Sequence, residues 1–77
     1  MTQHPNSYDP ALQLAINIGE ARERAGMTIR DLARVTGRNK DALNRMETNG
    51  QKVTVIDLMA IAQATNTPVH TLIPVQL

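Results

Sequence analysis

Apolar residues recur along this chain at steps of three and four and never alternate over a useful length, so the pattern predicts helices and no strand. Leu14, Ile18, Ala21 and Ala25 give one face to a first helix over about residues 10–25. Asp9 is its N-cap, Pro10 takes the first helical position where a missing N–H does no harm, and Gly26 supplies the left-handed stop. Thr28-Ile-Arg-Asp31 is a second start signal, with the hydroxyl set to accept from the third amide, and opens a helix over about 29–36 with Leu32 and Val35 apolar. Gly37 ends it and Asn39 caps a third helix over about 40–48, whose inward positions are Leu43 and Met46 beside the small Ala42. Asn49-Gly50 is a turn. Thr54-Val-Ile-Asp57 repeats the start signal for a fourth helix with Val55, Leu58, Met59 and Ala62 as its apolar stripe, and Asn66 is placed to cap it. Thr67-Pro68 opens a short fifth helix to about residue 73, where Pro74 stops it. The expectation is an all-α fold: a five-helix bundle in one domain, residues 9–77, behind a polar, proline-interrupted arm over 1–8.

With 77 residues and one aromatic side chain, Tyr8, the core must be aliphatic and no base-stacking platform for single strands can be built. There is no cysteine, which excludes disulfides and thiolate metal sites and suits a cytoplasmic protein. No apolar run approaches a membrane span, and the N-terminus lacks a signal-peptide pattern. A net charge of +1 says little, but its distribution says more. All 8 basic residues fall between 22 and 52, with Glu20, Glu23, Asp31, Asp41 and Glu47 in the stretch 20–52 and only Asp9 and Asp57 beyond it.

Two short helices joined by a tight glycine turn form the unit that sets a recognition helix into the DNA major groove. Its geometry needs a small residue where the helices cross, a glycine in the turn and an apolar anchor on the second helix. Ala33, Gly37 and Leu43 supply them in that order.

The run Ile18-Gly-Glu-Ala-Arg-Glu-Arg-Ala-Gly-Met-Thr28, then Asp31-Leu-Ala33, Thr36-Gly37, Leu43-Asn-Arg-Met-Glu47, Asn49-Gly50 and Leu58-Met-Ala-Ile-Ala62, resembles a lambda-repressor/Cro-like domain over about residues 11–73. The resemblance implies a five-helix bundle that binds a pseudo-palindromic double-stranded operator as a homodimer and represses or autoregulates transcription. It places base-reading groups at Lys40, Asp41, Asn44 and Arg45, and phosphate contacts at Thr28, Arg30, Asn39 and Lys52. The side chains suit those tasks: Lys and Arg donate to guanine, Asn pairs with adenine, and Asp accepts from cytosine N4. Asp41 serves equally as a favourable charge at a helix N-terminus. Arg22 and Glu47 match a pair that, in the family, bridges the first helix to the end of the third. The alternative is two solvated charges.

Two positions depart from the family pattern. Ile29 replaces a glutamine that touches phosphate, and Arg38 follows the turn glycine where an apolar residue is usual. Either the Arg38 stem crosses the core and its guanidinium reaches a phosphate, or the turn packs differently.

Other chemistry is poorly supplied. His4 and His70 stand apart with no ligand cluster, so no metal or cofactor is expected, and Ser7 is the one serine, so no Ser/His/Asp set can assemble. Met27, Met46 and Met59 read as core filler. Val69, Leu72, Ile73, Val75 and Leu77 form the apolar end expected to dimerise, unless they close the monomer core. Three functions stay open: a DNA-binding regulator, the same regulator acting as the antitoxin of a cognate toxin, and a protein-interaction module that keeps the fold without reading DNA. An enzyme is not expected.

Overall fold

The computed structural model describes residues 8–74, in which five helices and one 3-10 turn surround a single core. The expected arm therefore lies outside the described residues except for Tyr8, as do Val75 and Leu77. Helix α1 spans Pro10–Arg24, α2 Ile29–Thr36, α3 Lys40–Thr48, α4 Val55–Ala64 and α5 Val69–Leu72. The start signals of α1, α2 and α4 are formed, whereas α5 begins after Pro68 with no side-chain cap and the Thr67 hydroxyl bonds to Thr65 instead. Asp9 accepts from the amides of Ala11 and Leu12, and Thr28 and Thr54 each close a reciprocal box with the aspartate three residues on. Gly26 and Gly37 take left-handed φ values of 70° and 72°, and Asn66 takes 54°.

Each helix sends one large aliphatic side chain fully inside: Ile18, Leu32, Leu43, Ile61 and Leu72, one each from α1 to α5. Burying such a side chain stabilises by about 1.5–3 kcal/mol, so a chain whose one aromatic residue, Tyr8, is exposed closes its core on five aliphatic groups that share one centre. Leu14, Met27, Ile29, Ala33, Met46, Val53 and Ala64 pack around them. Helix α1 lies against α3 and α5, α2 against α3 and α4, and α4 against α5.

Four expected inward positions are corrected. Ala25 is exposed because α1 has ended and Ala25 is its C-cap; Ala15 is buried on the helix instead. On α4 the inward stripe is Leu58, Ile61, Ala62 and the buried Thr65 at its cap, at steps of three, four and seven. Met59 is one residue round from Leu58 and turns outward, and Val55 at the first helical position is also exposed, as is Val35 on α2.

The turn Gly50–Lys52 is 3-10 helix, absent from the expected elements. Gly50 is buried beneath α1, where an added Cβ would collide with the Ala11 carbonyl oxygen. Asn49 serves both neighbours, ending α3 and accepting from the Gln51 amide at 3.0 Å. No described helix is long and apolar enough to cross a membrane.

Candidate nucleic-acid interface

Three residues, 37–39, separate α2 from α3, and each has a distinct task. Gly37 adopts the left-handed conformation and its N–H donates to the Ala33 carbonyl at 2.9 Å. Asn39 starts α3 by accepting from the Asp41 amide at 2.7 Å. Arg38, between them, donates through Nε to Asp57 Oδ1 at 2.8 Å and through Nη1 to the Thr36 carbonyl at 3.3 Å. The Arg38 guanidinium thus bridges the end of α2 and the start of α4.

Helix α3 is divided along its length. Leu43 is fully buried, while Ala42, Met46 and Glu47 are half-buried behind it. Lys40, Asp41, Asn44, Arg45 and Thr48 are exposed, and at 100° per residue they share one outward stripe. All four expected base-reading residues therefore stand together on the open face of one short helix. Thr28, Arg30, Asn39 and Lys52 are exposed as well, the first two at the start of α2 and Lys52 in the 3-10 turn. Arg45 and Lys52 line one open cleft of about 290 Å³ with Thr48, Asn49 and Gln51.

The side-chain oxygens of Thr28 and Asn39 already cap helices, so any further contact from them must use a remaining donor. Ile29 packs against the core, which accounts for an apolar residue where the family pattern has glutamine.

The acids close to this unit are tied up internally. Asp31 closes the α2 capping box and sits 3.4 Å from Arg34. Its carboxyl is held below the usual carboxylate range, first by the hydrogen bond from the Thr28 backbone. Glu47 pairs with Arg22 at 2.7 Å, and Asp57 pairs with Arg38. Partial burial pushes the Asp57 carboxyl up, but the Thr54 amide and the Arg38 guanidinium outweigh it and hold the group below its ordinary value. Arg30, Lys40, Arg45 and Lys52, by contrast, make no ion pair among the described residues. A chain of almost neutral sum thus exposes four unpaired cations around α3, with Asp41 as the acid on the same helix face.

Arg22 holds α3 from behind. Its Nε and Nη2 donate to the two Glu47 oxygens at 2.7 and 3.1 Å, and its Nη1 donates to the Met27 carbonyl at 2.8 Å. Its pKa is raised, chiefly by the hydrogen bond to Glu47, against the opposing effect of burial.

Sequence reasoning missed Asp57 as a partner of this site. The Thr-x-x-Asp spacing disclosed its cap, but a contact 19 residues distant from Arg38 leaves no local signal. Leu72 is corrected: fully buried, it closes the monomer core and is not dimerisation surface. Val69 and Ile73 beside it are exposed. His70 is an exposed group on α5, and no described group of three His, Cys, Asp or Glu residues could hold a metal ion.

A family model described as a helix-turn-helix domain matches residues 13–72. The restriction-modification controller protein C.AhdI from Aeromonas hydrophila superposes with a TM-score of 0.74 at 18% identity, over 79% of this chain and 92% of that one. The clp gene regulator ClgR from C. glutamicum superposes with a TM-score of 0.78 at 20% identity, over 86% of each chain. At these identities the likeness is one of fold. No curated protein matches the sequence.

Proposed function

This chain belongs to the helix-turn-helix domain family, and from that premise we propose that it is a sequence-specific double-stranded DNA-binding regulator of transcription, acting as a homodimer on a pseudo-palindromic operator. One observation carries the proposal: α3 turns Lys40, Asp41, Asn44 and Arg45 outward together while Leu43 anchors it behind. Lys40, Asn44 and Arg45 then read base edges in the major groove, and Arg30 and Lys52 neutralise backbone phosphates. The similarity in fold to a restriction-modification controller and a gene regulator supports a regulatory role.

Both departures from the family pattern have partners inside the domain: Ile29 packs against the core and Arg38 pairs with Asp57.

Anisotropy titration with duplex from upstream of the chain's own gene tests the proposal. Two phosphate-neutralising cations per protomer, Arg30 and Lys52, predict a dimer whose log K falls against log salt with a slope of about −4, at about −0.9 per neutralised phosphate. Binding that ignores salt, or that fails on every duplex offered and on a random-sequence pool, refutes it.

A further inference from the structure

Arg38 and Asp57 join three parts of the domain through one contact. The Arg38 guanidinium reaches back to the carbonyl of Thr36 at the end of α2 and across to Asp57 Oδ1 at the start of α4. The other Asp57 oxygen accepts from the Thr54 amide at 3.0 Å, while the Asp57 amide donates to the Thr54 hydroxyl at 3.0 Å. A single carboxylate therefore closes the cap of α4 and fixes the residue two places before the recognition helix. The two side chains keep only 25% and 15% of their surface in solvent, unlike an exposed pair free to drift. Helix α4 is itself anchored by Leu58 and Ile61 in the core. Since α3 is nine residues long with one fully buried side chain, its attitude depends on what holds its ends. The Arg22–Glu47 pair holds the C-terminal end against α1, and Arg38–Asp57 holds the N-terminal end against α4.

We propose that Arg38 and Asp57 are positioning residues that set the angle at which Lys40, Asn44 and Arg45 present to base edges, with Arg38 making no DNA contact of its own. The proposal rests on the DNA-binding function above. Base-edge hydrogen bonds demand donors and acceptors in register, whereas attraction to phosphates tolerates small displacement. Loosening the pair therefore costs discrimination between sequences and leaves non-specific binding intact. A phosphate contact has the opposite signature, a uniform weakening with a shallower salt slope.

The test uses the full chain with Arg38→Met, Asp57→Asn, the double variant and Arg38→Lys. Asp57→Asn keeps an oxygen for the Thr54 amide while losing the charge. Affinity for an operator selected from random DNA and for a scrambled duplex of equal length is measured across a salt series, well below the melting transition of every variant. Each single change is expected to lower the operator-to-scrambled ratio about tenfold, comparable to losing one good base contact. The salt slope stays unchanged, the double variant is no worse than either single one, and Arg38→Lys recovers part of the ratio. A slope shallower by about 0.9 per protomer in Arg38→Met, with Asp57→Asn binding normally, makes Arg38 a phosphate contact and overturns the proposal. Lower melting temperatures with unchanged ratios overturn it too, leaving the pair a stabilising contact only. Absence of any operator preference in the unsubstituted protein overturns the DNA-binding function itself, and is told apart by needing no variant.

Discussion

Glu47 on α3 meets Arg22 on α1 in a two-point ion pair, 2.7 and 3.1 Å, with 14% and 18% of the two side chains left exposed. Two parallel N–H donors fix the carboxylate in plane, and the third guanidinium contact, to the Met27 carbonyl, ties the α1–α2 loop into the same joint. Gly19 makes room for it: a Cβ there would sit 3.3 Å from Glu47 Oε1.

Glu47→Ala strands a largely buried guanidinium with one acceptor. Breaking a fully buried pair costs about 3–5 kcal/mol and losing an exposed one at most about 1, so about 2–3 is expected at this intermediate burial. In a domain of this size that lowers the melting temperature by roughly 10–20 °C. Thermal melts followed by circular dichroism check it, and a transition within two degrees of the parent's would remove the pair from any account of stability.

How much of this was legible in the chain depends on how local each signal is. The bounds of α2 and α3 follow from Thr28, Gly37, Asn39 and the Asn49-Gly50 turn, because a cap acts within four residues of itself. The outward stripe of α3 follows from helical period alone. Where the inward side of α4 lies does not, since almost every residue of that helix is apolar and the period cannot choose between Met59 and Ile61. Leu72 likewise looks the same in sequence whether it closes this core or a partner's. The Asp57 link to Arg38 and the burial of Gly50 beneath Ala11 are products of packing between distant segments, and nothing in the neighbouring residues announces them.

Acid should loosen the two capping boxes together. Asp31 and Asp57 both have carboxyls held below their ordinary values in the folded chain. Such a group contributes stability that is fully present above its unfolded pKa, about 3.9, and is lost as pH falls through the lower folded value. The melting temperature of the parent should thus exceed that of Asp57→Asn by a constant margin from pH 7 down to about 5. Below about pH 4 the two should converge. A margin that persists undiminished at pH 2 would show that the Asp57 charge contributes nothing.

The apolar end of the chain divides by burial into two kinds of residue. Leu72→Ala opens a hole in the centre shared by all five helices and should cost about 2–5 kcal/mol, reported by melting. Ile73→Asp and Val69→Asp change positions that are 49% and 39% exposed, so the monomer should stay folded. If these two residues form the dimer contact of the proposed regulator, sedimentation will show dimer in the parent and monomer in either aspartate variant, with operator affinity falling accordingly. A dimer unaffected by both places the interface elsewhere, and the exposed Val55, Ile56 and Met59 of α4 are then the next surface to substitute.

Base readers and phosphate contacts can be separated by what each loses. Lys40 and Arg45 project from the open stripe of α3 as donors, and the guanine O6 and N7 acceptors they would meet are present or absent according to the DNA sequence. Lys40→Ala and Arg45→Ala should each reduce discrimination at one position of the half-site by about 1–3 kcal/mol, leaving other positions as they were. Lys52 and Arg30 stand off that helix, so Lys52→Ala and Arg30→Ala should weaken every duplex alike and flatten the salt slope by about 0.9 per protomer. Arg45 carries the sharper risk, because it lines the same cleft as Lys52. Titration of each variant against a panel of single-base operator changes decides its role: a uniform loss across the panel moves Arg45 to the phosphates and leaves Lys40 and Asn44 as the readers.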